Sequence, residues 1–318
     1  MSLPLFMLVT LFGVQGDVTL ENTSIAGYQE EYHTGIYNRL RGEASFELVQ
    51  QPAFFATLIV DNNTSYKANP DSLVNRTSIY RGYVGYGGAR SRVILGKQRV
   101  PLGVGRIWNP IDIFNPVNAE AIEVAERPGT ECGRLEWQLG NLANFDMTLA
   151  KDKGEMRLKS YFSGADVALV ALSDHDTKLD IIGWELEGEL LATGLELRSE
   201  GGHFYDRIRH ESYFAAIVGA EYGFQNSLNI LCEYKYNDET KLDYLGSIIS
   251  YQPGMLWHLA LLGLLNVDDD SYFLVPSVEY SLADDMTLSA GCFLYEGDRA
   301  SEYGLLPNRY FAMFFVYF

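Results

Sequence analysis

Apolar and polar residues alternate with period two along most of the chain. Leu135, Trp137 and Leu139 alternate with Arg134, Glu136 and Gln138; after Gly140-Asn141, Phe145, Met147 and Leu149 alternate with Asp146 and Thr148. Met156, Leu158 and Phe162 then stand against Arg157, Lys159 and Tyr161. Period two means strands whose two faces differ in chemistry. Repeated strand after strand, it is the pattern of a wall with hydrocarbon outside and water inside. The pattern predicts strands over 24–32, 37–49, 53–62, 78–86, 91–98, 132–139, 145–149, 156–162, 166–172, 178–187, 194–203, 212–222, 228–236, 244–251, 255–266, 272–282, 286–295 and 309–318. The expected fold is all-β, a transmembrane antiparallel up-and-down β-barrel of about 18 strands, or 16 if boundaries shift by ~2–4 residues.

The connections predict alternating lengths, short turns at one end and longer, Asp-rich loops at the other, as outer-membrane barrels arrange them. Loops are read at 63–77, 173–177, 204–211, 237–243, 267–271 and 296–308, with 33–35 a short exception. Pro276 lies inside a strand and predicts a bulge, because proline cannot donate to the ladder.

One interval breaks the alternation: 99–134, RVPLGVGRIWNPIDIFNPVNAEAIEVAERPGTECGR. A structureless connection longer than ~15 residues is functional or disordered, and Ile107, Trp108, Ile111, Ile113 and Phe114 make this one too apolar for disorder. It is expected to fold into the lumen as a constriction carrying Arg106, Trp108, Asp112, Glu120, Glu123 and Glu126. The run 118–127 reads either as a short helix with its carboxylates toward the pore or as a solvated helix end.

Composition sharpens this. Tyr 21, Phe 17 and Gly 30 suit a β-rich wall with aromatic girdles, and no apolar run of ~20 residues writes a transmembrane helix. Residues 1–16, MSLPLFMLVTLFGVQG, read as a signal peptide lacking the usual basic start, which leaves 17–318 as the barrel. A net charge of −18 argues against nucleic acid as a partner. Cys132, Cys232 and Cys292 have neither zinc nor disulfide-framework spacing, and no metal or cofactor set is expected. Asp174-His175-Asp176 and Asp268-Asp269-Asp270 read as solvated turns, and no nucleophile, metalloprotease or phosphate-loop motif occurs, so enzymatic activity is not expected. The N-x-S/T triplets at Asn22, Asn63 and Asn75 carry no message in a bacterial envelope.

The final strand ends on Phe318, with Tyr310, Phe314 and Val316 at alternate positions. It resembles the C-terminal signature of bacterial outer-membrane proteins, which implies the barrel-assembly machinery as a partner. Gly96-Lys97-Gln98-Arg99, then Gly103 to Pro110, Phe114-Asn115-Pro116, Glu126 to Gly129 and Val275 to Asp284 resemble a group of porin-like barrels related in pattern to the alginate-export type of outer-membrane protein. That group usually has Gly-Arg-Gln where this chain has Gly96-Lys97-Gln98, and lysine lacks arginine's bidentate fork. The resemblance implies a bacterial outer-membrane location, contact with outer-membrane lipids and transport of small solutes.

By strand parity the lumen is expected to be lined by Arg92, Arg134, Glu136, Arg157, Lys159, Glu185, Glu187, Glu196, Arg198, Glu233 and Glu279, together with Arg39, Arg41, Asp180, Glu200, Glu221 and Lys235. These residues predict a passive channel for small polar solutes or ions. The alternative is a non-conducting barrel, structural, adhesive or enzymatic. Counting acids in the later strands and the insert predicts a preference for cations, with the basic early strands as the competing influence.

Overall fold

The computed structural model describes residues 14–29, 33–48, 53–68 and 71–318. They form eighteen antiparallel strands: β1 (Val14–Gln29), β2 (His33–Leu48), β3 (Ala53–Ala68), β4 (Asp71–Gly87), β5 (Ser91–Gln98), β6 (Thr130–Gln138), β7 (Ala143–Ala150), β8 (Lys153–Phe162), β9 (Ala165–Asp174), β10 (Leu179–Glu189), β11 (Leu195–Asp206), β12 (Glu211–Gly223), β13 (Leu228–Asn237), β14 (Leu242–Gly254), β15 (Trp257–Asn266), β16 (Tyr272–Ala283), β17 (Met286–Glu296) and β18 (Arg309–Tyr317). Each strand pairs with the next, and β1 pairs with β18. The sheet is a closed up-and-down barrel. Closure matters because a strand in hydrocarbon has no water to satisfy its backbone.

Parity follows from the register. Glu185, Glu200, Ile217, Lys235, Tyr244 and Asn266 lie on one face of the sheet through successive pairings, and this face is buried or polar. The opposite face carries exposed Leu58, Val84, Leu95, Leu149, Leu158, Leu169, Ile182, Val218 and Leu245. An apolar surface so continuous does not suit water; it is the lipid side. Aromatic pairs stand near strand ends on this outside face, Tyr28 with Tyr310 at one end and Trp257 with Tyr280 at the other, as girdles do.

All eighteen expected strands are present, but several are longer than the pattern showed. Of the loop read at 63–77, residues 63–68 and 71–77 are instead the paired ends of β3 and β4, with 69–70 outside the described residues, and His33 to Gly35 pair with Gln29 to Gly27 inside the β1–β2 ladder. Polar alternation on both faces hid these extensions. Pro276 causes no bulge: Leu274 pairs with Leu294 and Ser277 with Gly291 in one unbroken register, and only the bridges between them are missing. Shifts fall at Ile59/Val60, Tyr251/Gly254 and Ser281/Ala283. The alternation of short and long connections rests on two segments, 99–129 and 297–308, which leave from the same end of the barrel; we call this the loop end and the opposite the turn end. Of the expected leader, 1–13 lies outside the described residues, while the backbone of 14–16 pairs with 46–48 at the turn end.

Candidate functional site

The insert leaves β5 at Gln98 and rejoins the sheet at Thr130, and between these points it makes a circuit of the lumen. Its two legs are tied at their base by Asn115, whose Oδ1 accepts from the Val100 amide at 2.9 Å and whose Nδ2 donates to the Pro128 carbonyl at 2.6 Å. The first leg buries Val100, Leu102, Ile111 and Phe114 against Val170 and Leu172 of β9, Ile181 of β10, Phe204 of β11 and Ala215 of β12. Farther round, Ile107 and Trp108 pack toward Leu231, Leu264, Phe273 and Phe293 on β13 to β17, joined there by Tyr303 from the other long connection. Gly246 of β14 makes room for them, since a Cβ would meet Ile107 at 2.7 Å and Trp108 at 2.8 Å.

Three carboxylates on the wall hold the backbone between these clusters. Glu185 accepts from the Gly103 amide at 2.9 Å; Glu200 accepts from Val104 and, at 2.9 Å, from Gly105; Glu233 accepts from Arg106 at 2.6 Å, Ile107 at 2.9 Å and Trp108 at 3.3 Å. Six consecutive amides therefore point at buried anions. Charged acceptors satisfy buried amides strongly, at ~1.5–3 kcal/mol each. Gly103 has φ +82°, and a Cβ at Gly105 would meet the Trp108 carbonyl at 1.8 Å, so the Gly103-Val104-Gly105 run is what this turn requires.

The return leg is held by arginines. Arg39 grips Glu123 with two nitrogens at 2.8 and 2.9 Å, while Arg41 binds Asp61 at 2.7 and 2.9 Å and Glu126 at 2.9 Å. The Tyr80 hydroxyl and Arg81 both donate to the Arg127 carbonyl, placed on the same side by the β3–β4 bulge. Among the described residues 118–127 is not helical: it makes two turns, Ala121 to Asn118 and Glu126 to Glu123. The cause lies in the partners. Arg39 and Arg41 project from one face of a strand, and the paired glutamates follow that spacing.

Register puts Arg92, Arg134, Glu136, Arg157, Lys159, Glu185, Glu187, Glu196, Arg198, Glu233 and Glu279 on the lumenal face. Their situations differ. The Arg198 side chain is fully buried and answered by Glu221 at 2.6 Å, Glu196 at 3.2 Å and Glu187 at 3.6 Å. Arg134 lies near Glu136 and Asp146, Arg157 near Asp146 and Glu185, and Lys159 binds Asp166. Glu279 is exposed near the turn end. Asp180 is a correction: it pairs with Ser173 and Tyr205 on the outside face and bonds Ser173. In the insert, half-exposed Arg106 reaches Glu187 at 3.0 Å, Trp108 lies against Tyr244, and Glu120 is exposed. Asp112 is buried; it accepts from the Phe114 and Asn115 amides, and burial raises its pKa to about 6. It cannot face a pore.

The wall from β3 to β8 is left open. Three lumenal cavities of about 540, 380 and 410 Å³ adjoin there, and Arg92 borders all three. The one beside the insert is lined by Arg81, Arg92, Arg99, Arg134 and Glu136. Among the described residues no carboxylate lies within 4.0 Å of the guanidinium of Arg81, Arg92 or Arg99; Arg92 stacks on Phe55 at 4.0 Å instead. The sequence reading missed Arg81 and Arg99 because one follows an unseen bulge and the other begins the insert.

No protein-family model matches the chain, and no curated protein matches it. Solved structures do. OccK5 (OpdH) of Pseudomonas aeruginosa superposes with a TM-score of 0.70 at 7% identity, over 95% of this chain and 97% of that one. A mutant of the Rhodopseudomonas blastica porin superposes with a TM-score of 0.57 at 11% identity, over 96% and 100%. The fold is that of a porin barrel. At these identities the likeness speaks for the fold alone, and the chemistry must come from the lumen described above.

Proposed function

We propose that this chain is a bacterial outer-membrane channel for the passive diffusion of small polar solutes, and that its passage runs along the basic wall of β4 to β8 and favours anions. The observation that carries the reading is the cavity beside the insert, where Arg81, Arg92 and Arg99 have no carboxylate within 4.0 Å among the described residues. Most of the acids that favoured cations at the sequence level are committed elsewhere, Glu120 and Glu279 being the exposed exceptions. Glu185, Glu200 and Glu233 accept insert amides, Glu123 and Glu126 pair with arginines, and Asp180 faces outward. A narrow passage between low-dielectric walls focuses the field of its nearest unpaired charges.

In this reading Arg134, Glu136, Arg157 and Lys159 line the path, and the insert narrows it from the opposite side. The resemblance of 96–129 to the alginate-export type makes a uronate a natural trial solute. The leader over 1–16, insertion through the final strand by the barrel-assembly machinery and residence among outer-membrane lipids belong to the same proposal. Among the described residues no lumenal serine, threonine or cysteine hydrogen-bonds a histidine, which is why we favour a channel over a barrel enzyme.

The test is the reversal potential across a planar bilayer under a KCl gradient. We expect the sign for anion preference at low salt, a loss of that preference near 1 M, where the Debye length is ~3 Å, and a shift toward cations in Arg92→Glu. Cation preference in the unmodified protein would overturn the anion passage. The absence of any conductance would favour a non-conducting barrel.

A further inference from the structure

Two of the lumenal cavities meet at three side chains. The one of about 410 Å³ beside the insert and the one of about 380 Å³ at the turn end share Arg92, Arg134 and Glu136 and no other lining residue. A solute on the proposed path goes from one cavity to the other between them. Two of the three are cations that draw an anion in, and the third is an acid that repels it. A fixed acid there would oppose the anions that the arginines attract; the way Glu136 is held lets it yield.

Glu136 meets Arg134 at 3.2 Å and makes no hydrogen bond among the described residues. Its side chain is 31% exposed, against 11% for Asp146, which stands opposite it on β7. The pairs that seat the insert are tighter: Arg39 takes both oxygens of Glu123, at 2.8 and 2.9 Å. Directly across the ladder from Glu136, on β5, stands Arg92, yet its guanidinium turns away and stacks on Phe55 at 4.0 Å. Gly85 makes that platform, since a Cβ there would meet the Phe55 ring at 1.9 Å. Side chains directly opposite in an antiparallel pair start from Cβ atoms ~4.5–5.5 Å apart. Glu136 can therefore exchange Arg134 for Arg92 by changing rotamer.

We propose that Glu136 is a specificity-determining residue: it is the passage's own counter-anion on Arg134, and oxyanions displace it toward Arg92 more readily than halides do. The inference rests on the anion passage argued above and adds to it a preference among anions. A guanidinium presents paired N–H donors that match two oxygens of one planar group. An incoming carboxylate replaces Glu136 on Arg134 with a pairing of the same kind while Glu136 turns to Arg92, so no charge is left bare during the exchange. A halide makes a single-point contact and returns less for the pairing it breaks. Glu136, tethered beside Arg134, competes at a high effective concentration, so the difference between the two kinds of anion is felt at every passage.

The experiment reads two potentials across a planar bilayer holding the full chain: the reversal potential under a KCl gradient, and the potential with KCl on one side and potassium acetate on the other. The unmodified protein should prefer anions in the first. In Glu136→Gln that preference should grow, while the permeability of acetate relative to chloride should fall at least threefold, because chloride no longer has an occupant to displace. Glu279→Gln removes a lumenal acid with no arginine or lysine within 4.0 Å among the described residues, and should leave the ratio unchanged. Heat-shifted migration checks that the variants fold. Should Glu136→Gln fail to fold, the unmodified protein decides: its conductance in mixtures of KCl and potassium acetate at constant total concentration should pass through a minimum, because acetate on Arg134 delays the chloride behind it. A straight-line dependence would overturn the proposal. An unchanged ratio in folded Glu136→Gln, with anion preference intact, would mean that Glu136 contributes only its charge; the displacement then fails while the anion passage stands. Cation preference in the unmodified protein would instead remove the passage and this inference with it.

Discussion

At the scale of single residues, the lumen is organised by whether a carboxylate faces water, an arginine or a row of amides. Glu233 and Glu200 look like selectivity residues by parity, yet each is buried and accepts from the insert backbone. Removing either would leave two or three buried amides unsatisfied, at ~1–3 kcal/mol for each. Asp112 is the case where pH tells. Its pKa in the folded chain, about 6, lies above the ordinary value of ~4. Ionisation therefore opposes folding: the penalty is absent below pH ~4, where the group is protonated in both states, and complete above about 6. Asp112→Asn retains an acceptor for the Phe114 and Asn115 amides without the buried charge. We expect it to resist denaturant better than the unmodified protein at pH 8, with the advantage shrinking toward pH 4, as followed by tryptophan fluorescence. An advantage independent of pH would mean that burial does not move the Asp112 pKa from its unfolded value.

At the scale of elements, strands were legible and their ends were not. Period two located all eighteen, because one face is apolar wherever lipid covers it, as in Phe145-Asp146-Met147. It failed at 63–68 and 71–77, where Thr64, Asn75 and Thr77 on the outside face erase the contrast. The insert was legible as an apolar interruption. Its path was not, because amides reaching across to Glu185, Glu200 and Glu233 are contacts between residues far apart in sequence, and nothing local in 103–108 signals them. The insert fills lumen that a barrel of about 18 strands would otherwise leave as water. Replacing 102–124 by a short Gly/Ser linker is accordingly expected to raise single-channel conductance severalfold. Unchanged conductance would mean that solutes never pass beside the insert.

At the scale of the whole molecule, the question is what holds the barrel shut when its filling is removed. The closing ladder is strand to strand: β1 pairs with β18 from Glu21 to Gln29, and each remaining strand with both neighbours, with no bond in the circuit supplied by 102–124. The insert bonds to wall side chains and is seated by them; it does not join strands to one another. Losing it leaves buried lumenal carboxylates such as Glu200 and Glu233 facing water, which solvates them, while the outside face and every interstrand pair persist. Both the unmodified chain and the 102–124 replacement are thus expected to show a β-dominated circular dichroism spectrum and to migrate differently in gels before and after boiling, since opening a closed ladder in detergent requires breaking many backbone bonds together. If the replacement alone loses the heat-shifted band, the insert is part of what closes the barrel and the circuit of strands is not sufficient by itself. If neither shows it, the closed fold is not the one adopted in detergent.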